Sequence, residues 1–241
     1  MLQKPTLHTC LSPALLDQYQ LSHSIVVIID VFRATSTIAS VLKNGAKCII
    51  PVDEVAKAID ISKKIGGIAA GERDGQIAEG LQHGNSPLEY SPEFIGGKTL
   101  VLTTTNGTKL LHMALDRNAD TIITGSFPNL SSVCSYLLEQ NKNVVLGCAG
   151  WKDRFNIEDT LFAGAVISRI KENFTIHCDS SLMAQILYEQ NKNHLMGFAP
   201  KLTHYHRLVD RFGLIDDIEF CLTPDSADVL VLYEDGKLIT R

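Results

Sequence analysis

Two signatures of common protein classes are missing from this chain of 241 residues. No uninterrupted apolar run approaches the ~20 residues that a helix needs to cross a bilayer. The formal net charge is −5, and the basic residues are interleaved with acidic ones instead of forming a basic run. We therefore expect neither a membrane segment nor a nucleic-acid partner.

The six cysteines lie far apart and never form a CxxC pair. Residues 1–13 also lack the apolar core of a secretory signal. Scattered cysteines in a chain of this length are usually small buried apolar side chains. We therefore expect reduced thiols and a cytoplasmic location.

Motifs of several enzyme classes are absent as well. The chain contains neither the GxxxxGK[ST] loop of P-loop kinases nor the GxGxxG loop of dinucleotide-binding enzymes. The histidines form no HExxH pair, and His204 and His206, two positions apart, share a face only on a strand. These absences argue against a kinase, a dehydrogenase and a zinc enzyme.

Short β-branched runs alternate with amphipathic segments of about three turns. The runs predict strands at residues 25–30, 47–52, 98–104, 120–125 and 143–150, with a shorter one near 68 and a C-terminal hairpin around residues 234–236. This alternation predicts an α/β fold, layered α/β/α, with a mainly parallel or mixed sheet and helical crossovers. We expect a single unit over residues 1–241, either undivided or as two intimate halves meeting near 95–100.

Polar residues follow nearly every predicted strand. Because the carboxyl ends of parallel strands line the ligand crevice of open α/β sheets, we expect these junctions to share one sheet edge. The longest irregular stretch, residues 71–94, is also expected to be functional, because long loops are uncommon inside compact α/β chains.

The segment TTTNGT, residues 103–108, joins a predicted strand to a predicted helix. Threonine hydroxyls and the free N–H groups of a helix start both donate to anions, and Gly107 permits a close backbone approach. The segment thus predicts a phosphate or carboxylate cradle, although helix capping alone explains such residues at many single junctions.

Carboxylates and arginines at the other junctions predict a metal site and an anion clamp. Oxygen ligands suit Mg²⁺, and arginine forks bind doubly charged anions. Acidic residues in a first helical turn also complement the helix dipole, which is a competing explanation for Glu158 and Asp159. Cys148 is interpreted as a packing residue first and as a nucleophile second.

Five segments in fixed order resemble the 2-phosphosulfolactate phosphatase family: DVFRATSTI, GERDGQIAEGLQHGNSPLEY, GKTLVLTTTNGTKLL, GSFPNLSSV and CAGWKDRFNIEDTLFAGAVI. The resemblance is close over residues 24–170 and weaker beyond. It implies an α/β phosphatase of the coenzyme M biosynthesis type that uses Mg²⁺ and hydrolyses 2-phospho-3-sulfolactate to 3-sulfolactate and phosphate.

Together, the resemblance and the strand-end residues lead to three sets of candidates. The catalytic candidates are Asp30, Arg33, Cys148 and Arg154. The substrate-binding candidates are Arg73, Thr104, Thr105, Asn106, Gly107, Thr108, Ser126, Asn129 and Trp151. The metal candidates are Asp30, Glu72, Glu79, Glu158 and Asp159.

Some alternatives stay open at this point. The substrate is a small anionic phosphorylated acid, either 2-phospho-3-sulfolactate or another phosphorylated hydroxy acid, and a non-catalytic binding protein for small anionic acids is the rival class. The attacking group is a metal-activated water, Asp30 or Cys148. A homodimer is also left open.

Overall fold

A computed structural model of the chain describes residues 4–241, and these residues form ten strands that join one sheet. The strands are β1 Leu7–Cys10, β2 Ser24–Ile29, β3 Cys48–Val52, β4 Ile68–Arg73, β5 Gln76–Ile77, β6 Thr99–Thr103, β7 Thr121–Gly125, β8 Asn143–Cys148, β9 Val231–Glu234 and β10 Lys237–Thr240. Helices connect them, so the predicted α/β class is confirmed.

The helices surround this sheet. They are α1 Ala34–Lys43, α2 Val55–Ile65, α3 Pro92–Ile95, α4 Gly107–Asp116, α5 Leu130–Gln140, α6 Ile157–Ile170, α7 Asp179–Asn191, α8 Leu195–Phe198, α9 Thr203–Phe212 and α10 Ile215–Leu222. Short 3₁₀ turns lie at Pro13–Gln18, Phe127–Asn129, Lys171–Asn173 and Ala199–Lys201. Within residues 4–241, no helix combines the length and the apolar character needed to cross a bilayer.

Strand direction corrects the expectation of a single sheet edge. The order is β1-β8-β2-β7-β9-β10-β3-β6-β4-β5, and the C-terminal hairpin β9–β10 separates two parallel parts. Three consecutive antiparallel pairings, β7 with β9, β9 with β10 and β10 with β3, reverse the direction. Strands β3, β6 and β4 therefore run opposite to β1, β8, β2 and β7.

Twist explains how ends of opposite strands still meet. Neighbouring strands rotate by roughly 20–25°, so the five steps from β2 to β6 accumulate about 100° of rotation. The carboxyl ends of β2 and β6 can then turn toward one crevice although the strands are formally antiparallel. The contact between Asp30, after β2, and Gly107, after β6, shows that they do meet.

The sheet is covered on both faces, as the layered prediction requires. Along β2, Ile25, Val27 and Ile29 pack in the cluster that contains α6, whereas Val26 and Ile28 pack with Leu110 and Ala114 of α4. This period of two places successive side chains on opposite faces. Both sets are almost fully buried, so the strand has no polar face, as in parallel sheets covered by helices.

Helices α1 and α4 each follow a strand of one part of the sheet and pack on strands of the other part. Helix α1 leaves β2 and packs through Ile38 and Val41 on Ile49 of β3 and Leu100 of β6. Helix α4 leaves β6 and packs under β2. As a result, both helices begin beside the same crevice.

The C-terminal hairpin is confirmed where the sequence predicts it. Strands β9 and β10 are joined by Asp235 and Gly236, both with positive φ, 47° and 80°. This is the backbone of a two-residue primed turn, which Asp-Gly favours. The prediction of a single unit or two halves is not tested by these pairings and stays a prediction.

Helix α6 lies very close to α7 at Gly164. A Cβ on Gly164 would lie 2.0 Å from the carbonyl oxygen of Ala184, so α7 would have to move. Gly164→Ala is therefore expected to lower the free energy of unfolding by about 1–3 kcal/mol, although alanine ordinarily stabilises a helix over glycine. Urea unfolding measures the change.

Ser168→Ala on the same helix is the matched control. The Ser168 hydroxyl interacts at most weakly with the exposed Glu189 carboxylate, so its removal is expected to change the unfolding free energy by no more than about 0.5 kcal/mol. A Gly164→Ala variant that is as stable as the control would contradict this packing.

Candidate active site

A cavity of about 320 Å³ lies between the strand ends and helix α9. Six of the residues predicted from the sequence line it: Asp30, Arg33, Glu72, Thr105, Asn106 and Trp151. They come from the ends of β2, β4, β6 and β8, that is, from both parts of the sheet. The structure therefore brings together the central members of the predicted set.

Asp30 is the buried centre of the cavity and is only 7% exposed. A Cβ on Gly107 would lie 3.1 Å from the Asp30 Oδ2 atom and 3.4 Å from the Cβ of Ala34. Ala34 and Gly107 are the first residues of α1 and α4, so two helix starts meet beside this carboxylate. Their dipoles make the surroundings favourable for negative charge.

Burial nevertheless dominates the ionisation of Asp30. Desolvation raises the pKa of Asp30 to about 7, the nearby His204 lowers it, and repulsion from Glu72 and Glu158 raises it further. The charges of the protein itself therefore do not offset the burial of Asp30. A carboxyl group in this situation is typical of a functional site.

Backbone donors orient the carboxylate of Glu72. Its Oε1 accepts from the N–H of Thr105 at 2.9 Å and its Oε2 accepts from the N–H of Gly75 at 3.0 Å. The turn Asp74–Gly75 has positive φ at both residues and closes the short hairpin of β4 and β5. Glu72 thus joins this hairpin to the loop after β6.

The residues of the TTTNGT segment differ in position, and only some of them line the cavity. Thr104 and Thr108 are buried behind the cavity and contact each other, with 3.2 Å between their hydroxyl oxygens. Asn106 does not cap α4 with its side chain, and its Oδ1 accepts instead from the N–H of Lys152. Thr105 lines the cavity, and its hydroxyl oxygen is buried without a partner.

Arg33 is held from two sides. It forms an ion pair with Asp217 of α10 at 2.5 Å, and its second terminal nitrogen donates to the carbonyl oxygen of Gly75. Asp217 also accepts from the hydroxyl of Ser86. The guanidinium is therefore fixed and largely neutralised before any ligand binds.

Helix α9 supplies a wall that the sequence analysis did not assign. Four of its residues line the cavity: His204, Arg207, Leu208 and Arg211. Their spacing, i, i+3, i+4 and i+7, places them on one face of a helix. That spacing was the available signal, but it becomes informative only once α9 is known to cover the strand ends.

His204 is paired with Glu158 inside the protein. The His204 Nδ1 atom lies 2.6 Å from the Glu158 Oε1 atom, and the ring of Phe32 lies edge-on to the imidazole. Glu158, a predicted metal candidate, is 1% exposed and is not part of the cavity wall. Its contact with His204 links α6 to α9.

Two cationic side chains lie over the ring of Trp151. The guanidinium carbon of Arg207 lies 3.8 Å from the centroid of its ring and the Lys152 ammonium lies 4.7 Å from it. The loop that contains Trp151 is tight, because the backbone N–H and carbonyl groups of Trp151 and Arg154 form two hydrogen bonds with each other. A Cβ on Gly150 would lie 2.1 Å from the carbonyl oxygen of Arg154. Glycine is therefore required at position 150.

Several predicted metal and catalytic candidates do not reach the cavity. Asp159 is buried and accepts from the N–H groups of Val31 and Gly150, so it joins the ends of β2 and β8. Burial and the neighbouring acids raise the pKa of Asp159 well above its usual range. Glu79 and Arg154 are exposed on the surface.

Cys148 is also placed away from the cavity. Its side chain is fully buried in the core, and this burial raises the pKa of its thiol well above the ordinary value. Arg73 donates to carbonyl oxygens of Glu72 and Asp53 and to the hydroxyl of Thr103, and it does not line the cavity.

Ser126 and Asn129 form a structural link. The Asn129 side chain accepts from the N–H of Ser126 and donates to the carbonyl oxygens of Thr124 and Val229. The pair thereby fastens the start of α5 to the segment before β9. Both lie outside the cavity wall.

The cavity supplies oxygen donors that fit a hard divalent cation. Asp30 and Glu72 provide carboxylates, and the Oδ1 of Asn85 and the hydroxyl oxygen of Thr105 are buried without partners. Mg²⁺ commonly takes one or two carboxylates and completes its shell with water and phosphate. Across residues 4–241, no group of three or more His, Cys, Asp or Glu forms a metal site by itself.

One cavity thus combines a buried carboxylate, unpartnered oxygens and guanidinium groups, which are the groups that bind metal ions and small anions. The model of the 2-phosphosulpholactate phosphatase family matches residues 10–236. The chain belongs to this family, as the sequence motifs predict.

Named relatives agree with this assignment. A protein of Caldanaerobacter subterraneus subsp. tengcongensis is 40% identical over 219 residues, which cover 89% of this chain and 90% of the relative. A protein of Thermotoga maritima is 43% identical over 215 residues, covering 89% and 91%. A protein of Clostridium novyi is 35% identical over 222 residues, covering 91% and 93%. Each is named "Probable 2-phosphosulfolactate phosphatase".

The raised pKa of Asp30 has a consequence for stability. The folded state binds this proton more tightly than the unfolded state, so stability is lost as pH rises from about 4 to the folded pKa near 7. Without added metal, Asp30→Asn is expected to stabilise the protein at pH 8 by about 2–4 kcal/mol and to have little effect at pH 4.5. Urea unfolding at both pH values in EDTA measures this difference.

Asp60→Asn is the control, because Asp60 is an exposed carboxylate of α2 with no ion pair among residues 4–241. It is expected to leave the unfolding free energy unchanged at both pH values within about 0.5 kcal/mol. Equal stability of Asp30→Asn and the unmutated protein at pH 8 would show that Asp30 is not destabilised by ionisation.

Proposed function

We propose that the protein is a Mg²⁺-dependent phosphatase that hydrolyses 2-phospho-3-sulfolactate to 3-sulfolactate and phosphate. The observation that carries the proposal is the cavity itself, which is lined by the buried Asp30 carboxylate and by two arginines of α9. Such a cavity has a place for a cation and a place for negative charge. Membership of the 2-phosphosulpholactate phosphatase family supports this choice of substrate.

Asp30 and Glu72 would hold the metal ion, with the unpartnered oxygens of Asn85 and Thr105 beside them. When bound, Mg²⁺ would supply positive charge against the phosphate oxygens and the departing oxygen. The proposal also explains why a carboxylate is kept buried beside two other acids. A site that binds a cation tolerates repulsion that would be unfavourable without it.

The protein's own residues bind and orient the phosphate. The starts of α1 and α4 lie beside Asp30, and the dipoles of both helices favour an anion there. Arg33 uses one N–H on Asp217 and one on Gly75 and keeps the others for the phosphate. Positioning and charge neutralisation of this kind supply most of the catalysis of phosphoryl transfer.

The nucleophile in this proposal is a water molecule or Asp30. Cys148 is not proposed for this role, because it lies outside the cavity and its raised pKa keeps the thiol protonated near neutral pH. Rapid-quench trapping distinguishes the two groups, since attack by Asp30 would leave a phosphorylated protein and attack by water would not.

The proposed reaction belongs to coenzyme M biosynthesis. All six cysteines are free thiols, which fits the proposed cytoplasmic setting. The homodimer stays a prediction.

Phosphate release from 2-phospho-3-sulfolactate, with Mg²⁺ and with EDTA, tests the proposed function. We expect activity with Mg²⁺, loss of that activity in EDTA, and recovery when Mg²⁺ is returned. Asp30→Asn is expected to lower kcat by at least about 10³-fold because it removes a metal ligand or nucleophile. Cys148→Ala is expected to keep kcat within about threefold, because its thiol does not face the substrate.

The Asp30→Asn and Cys148→Ala variants test separately whether each side chain takes part in the reaction. An inactive Cys148→Ala variant that is folded would return the thiol to the mechanism. Full Mg²⁺-dependent turnover by Asp30→Asn would remove Asp30 from it. Release of phosphate only from another phosphorylated hydroxy acid, such as 2-phospholactate, would replace the proposed substrate and keep the reaction.

A further inference from the structure

We propose that Arg207, supported by Arg211, forms a subsite for an acid group of the substrate that is separate from its phosphate. The group is a carboxylate or a sulfonate, which share the planar or forked oxygen geometry that guanidinium recognises. This inference rests on the proposed function and makes Arg207 the residue that selects phosphorylated acids over simple alkyl phosphates.

The first observation is that Arg207 has no anionic partner. Within the described part of the chain, no carboxylate oxygen lies within 4.0 Å of its guanidinium nitrogens, and its side chain donates no hydrogen bond. Arg33, on the same cavity, is paired with Asp217. Of these two arginines, Arg207 is the one whose charge the protein leaves available.

The second observation is that the free guanidinium is held in place. It stacks on Trp151, with 3.8 Å between its central carbon and the ring centroid, and it lines the cavity. Stacking fixes the plane of the group and leaves its N–H edge for a ligand. Partial burial lowers the pKa of Arg207, while the more distant carboxylates of Glu158 and Asp74 oppose this shift.

The third observation is the position of α9. The turn at Gly75 contacts Leu208 and Phe212, because a Cβ on Gly75 would lie 3.0 Å from the Phe212 ring and 3.2 Å from a Leu208 methyl group. His204 is fixed by Glu158 one turn earlier. The helix is therefore anchored on both sides of Arg207, and the guanidinium cannot withdraw with the helix.

Charge separates this subsite from the phosphate end. Asp30 and Glu72 occupy the strand ends, whereas Arg207 and Arg211 lie one turn apart on α9. Lys152, the other cation on Trp151, is already paired with Asp74 at 3.1 Å. A substrate with its phosphate on the Mg²⁺ ion proposed at the strand ends and an acid group on Arg207 would engage both parts of the cavity at once.

Two substrates of equal shape test the proposal. 2-Phospholactate and propan-2-yl phosphate differ only in a carboxylate that replaces a methyl group. Arg207→Gln is expected to lower kcat/KM for 2-phospholactate by about 30- to 100-fold, as expected for a lost charge-assisted hydrogen-bonded pair, and to change that for propan-2-yl phosphate by less than about threefold. Arg207→Lys should recover part of the loss.

A third substrate and a control variant complete the experiment. 2-Phospho-3-sulfolactate shows whether the subsite serves the sulfonate: a larger loss for this substrate than for 2-phospholactate assigns the sulfonate, and an equal loss assigns the carboxylate. Arg241→Gln, at the exposed end of the chain, is the control and should behave as the unmutated protein. Equal losses for both members of the shape-matched pair, or no loss for either of them and none for 2-phospho-3-sulfolactate, would overturn the subsite.

Binding without turnover keeps the subsite testable if the proposed function fails. Trp151 is the only tryptophan of the chain and lies against Arg207, so its fluorescence should respond to 3-sulfolactate, which carries no phosphate. We expect titration of the unmutated protein to saturate and Arg207→Gln to bind at least tenfold more weakly. Identical titrations would overturn the subsite, whereas absent hydrolysis of every phosphate ester by the unmutated protein would overturn only the proposed function.

Discussion

The burial of the Asp30 carboxylate is the constraint on which the site depends. This group is nearly inaccessible to solvent. Its burial, together with the repulsion from two neighbouring acids, raises its pKa to about 7. The starts of α1 and α4 offset part of that cost, because both lie beside the carboxylate and helix N-termini favour negative charge. A protein that keeps such a group has given up stability at a place where function requires charge.

The architecture follows from the need to bring these helix starts together. The hairpin β9–β10 lies between two parallel parts of the sheet and reverses the direction of β3, β6 and β4. Twist then turns the ends of the two parts toward each other, and helices α1 and α4 exchange sides. The last residues of the chain therefore control how the earlier strands present their ends.

Local features of the fold were predictable from the sequence because they depend on local periodicity. The strand predicted at 25–30 is found at Ser24–Ile29, and the hairpin predicted around residues 234–236 is formed by β9 and β10. Strand β1 was missed, since four residues, LHTC, carry little β-branched signal. The strand directions could not be predicted, because they depend on where a distant hairpin inserts.

The candidate site also contains residues that were predictable from the sequence and residues that were not. Asp30, Glu72 and Trp151 follow strands and were predicted from that position, whereas His204 and Arg207 reach the cavity only through the packing of α9. Asp159 lies outside the cavity wall, and both of its oxygens accept from backbone N–H groups that join two strands. Glu72 also accepts from two backbone N–H groups, but it lines the cavity, and this position distinguishes it from Asp159.

A crystal structure with Mn²⁺ in place of Mg²⁺ and with phosphate and 3-sulfolactate bound tests the central claim most directly. Anomalous scattering locates the manganese without reference to the protein. The account predicts one manganese ion in contact with Asp30 and Glu72, with phosphate beside the starts of α1 and α4. Manganese and phosphate bound together at a site that contains neither Asp30 nor Glu72 would contradict it.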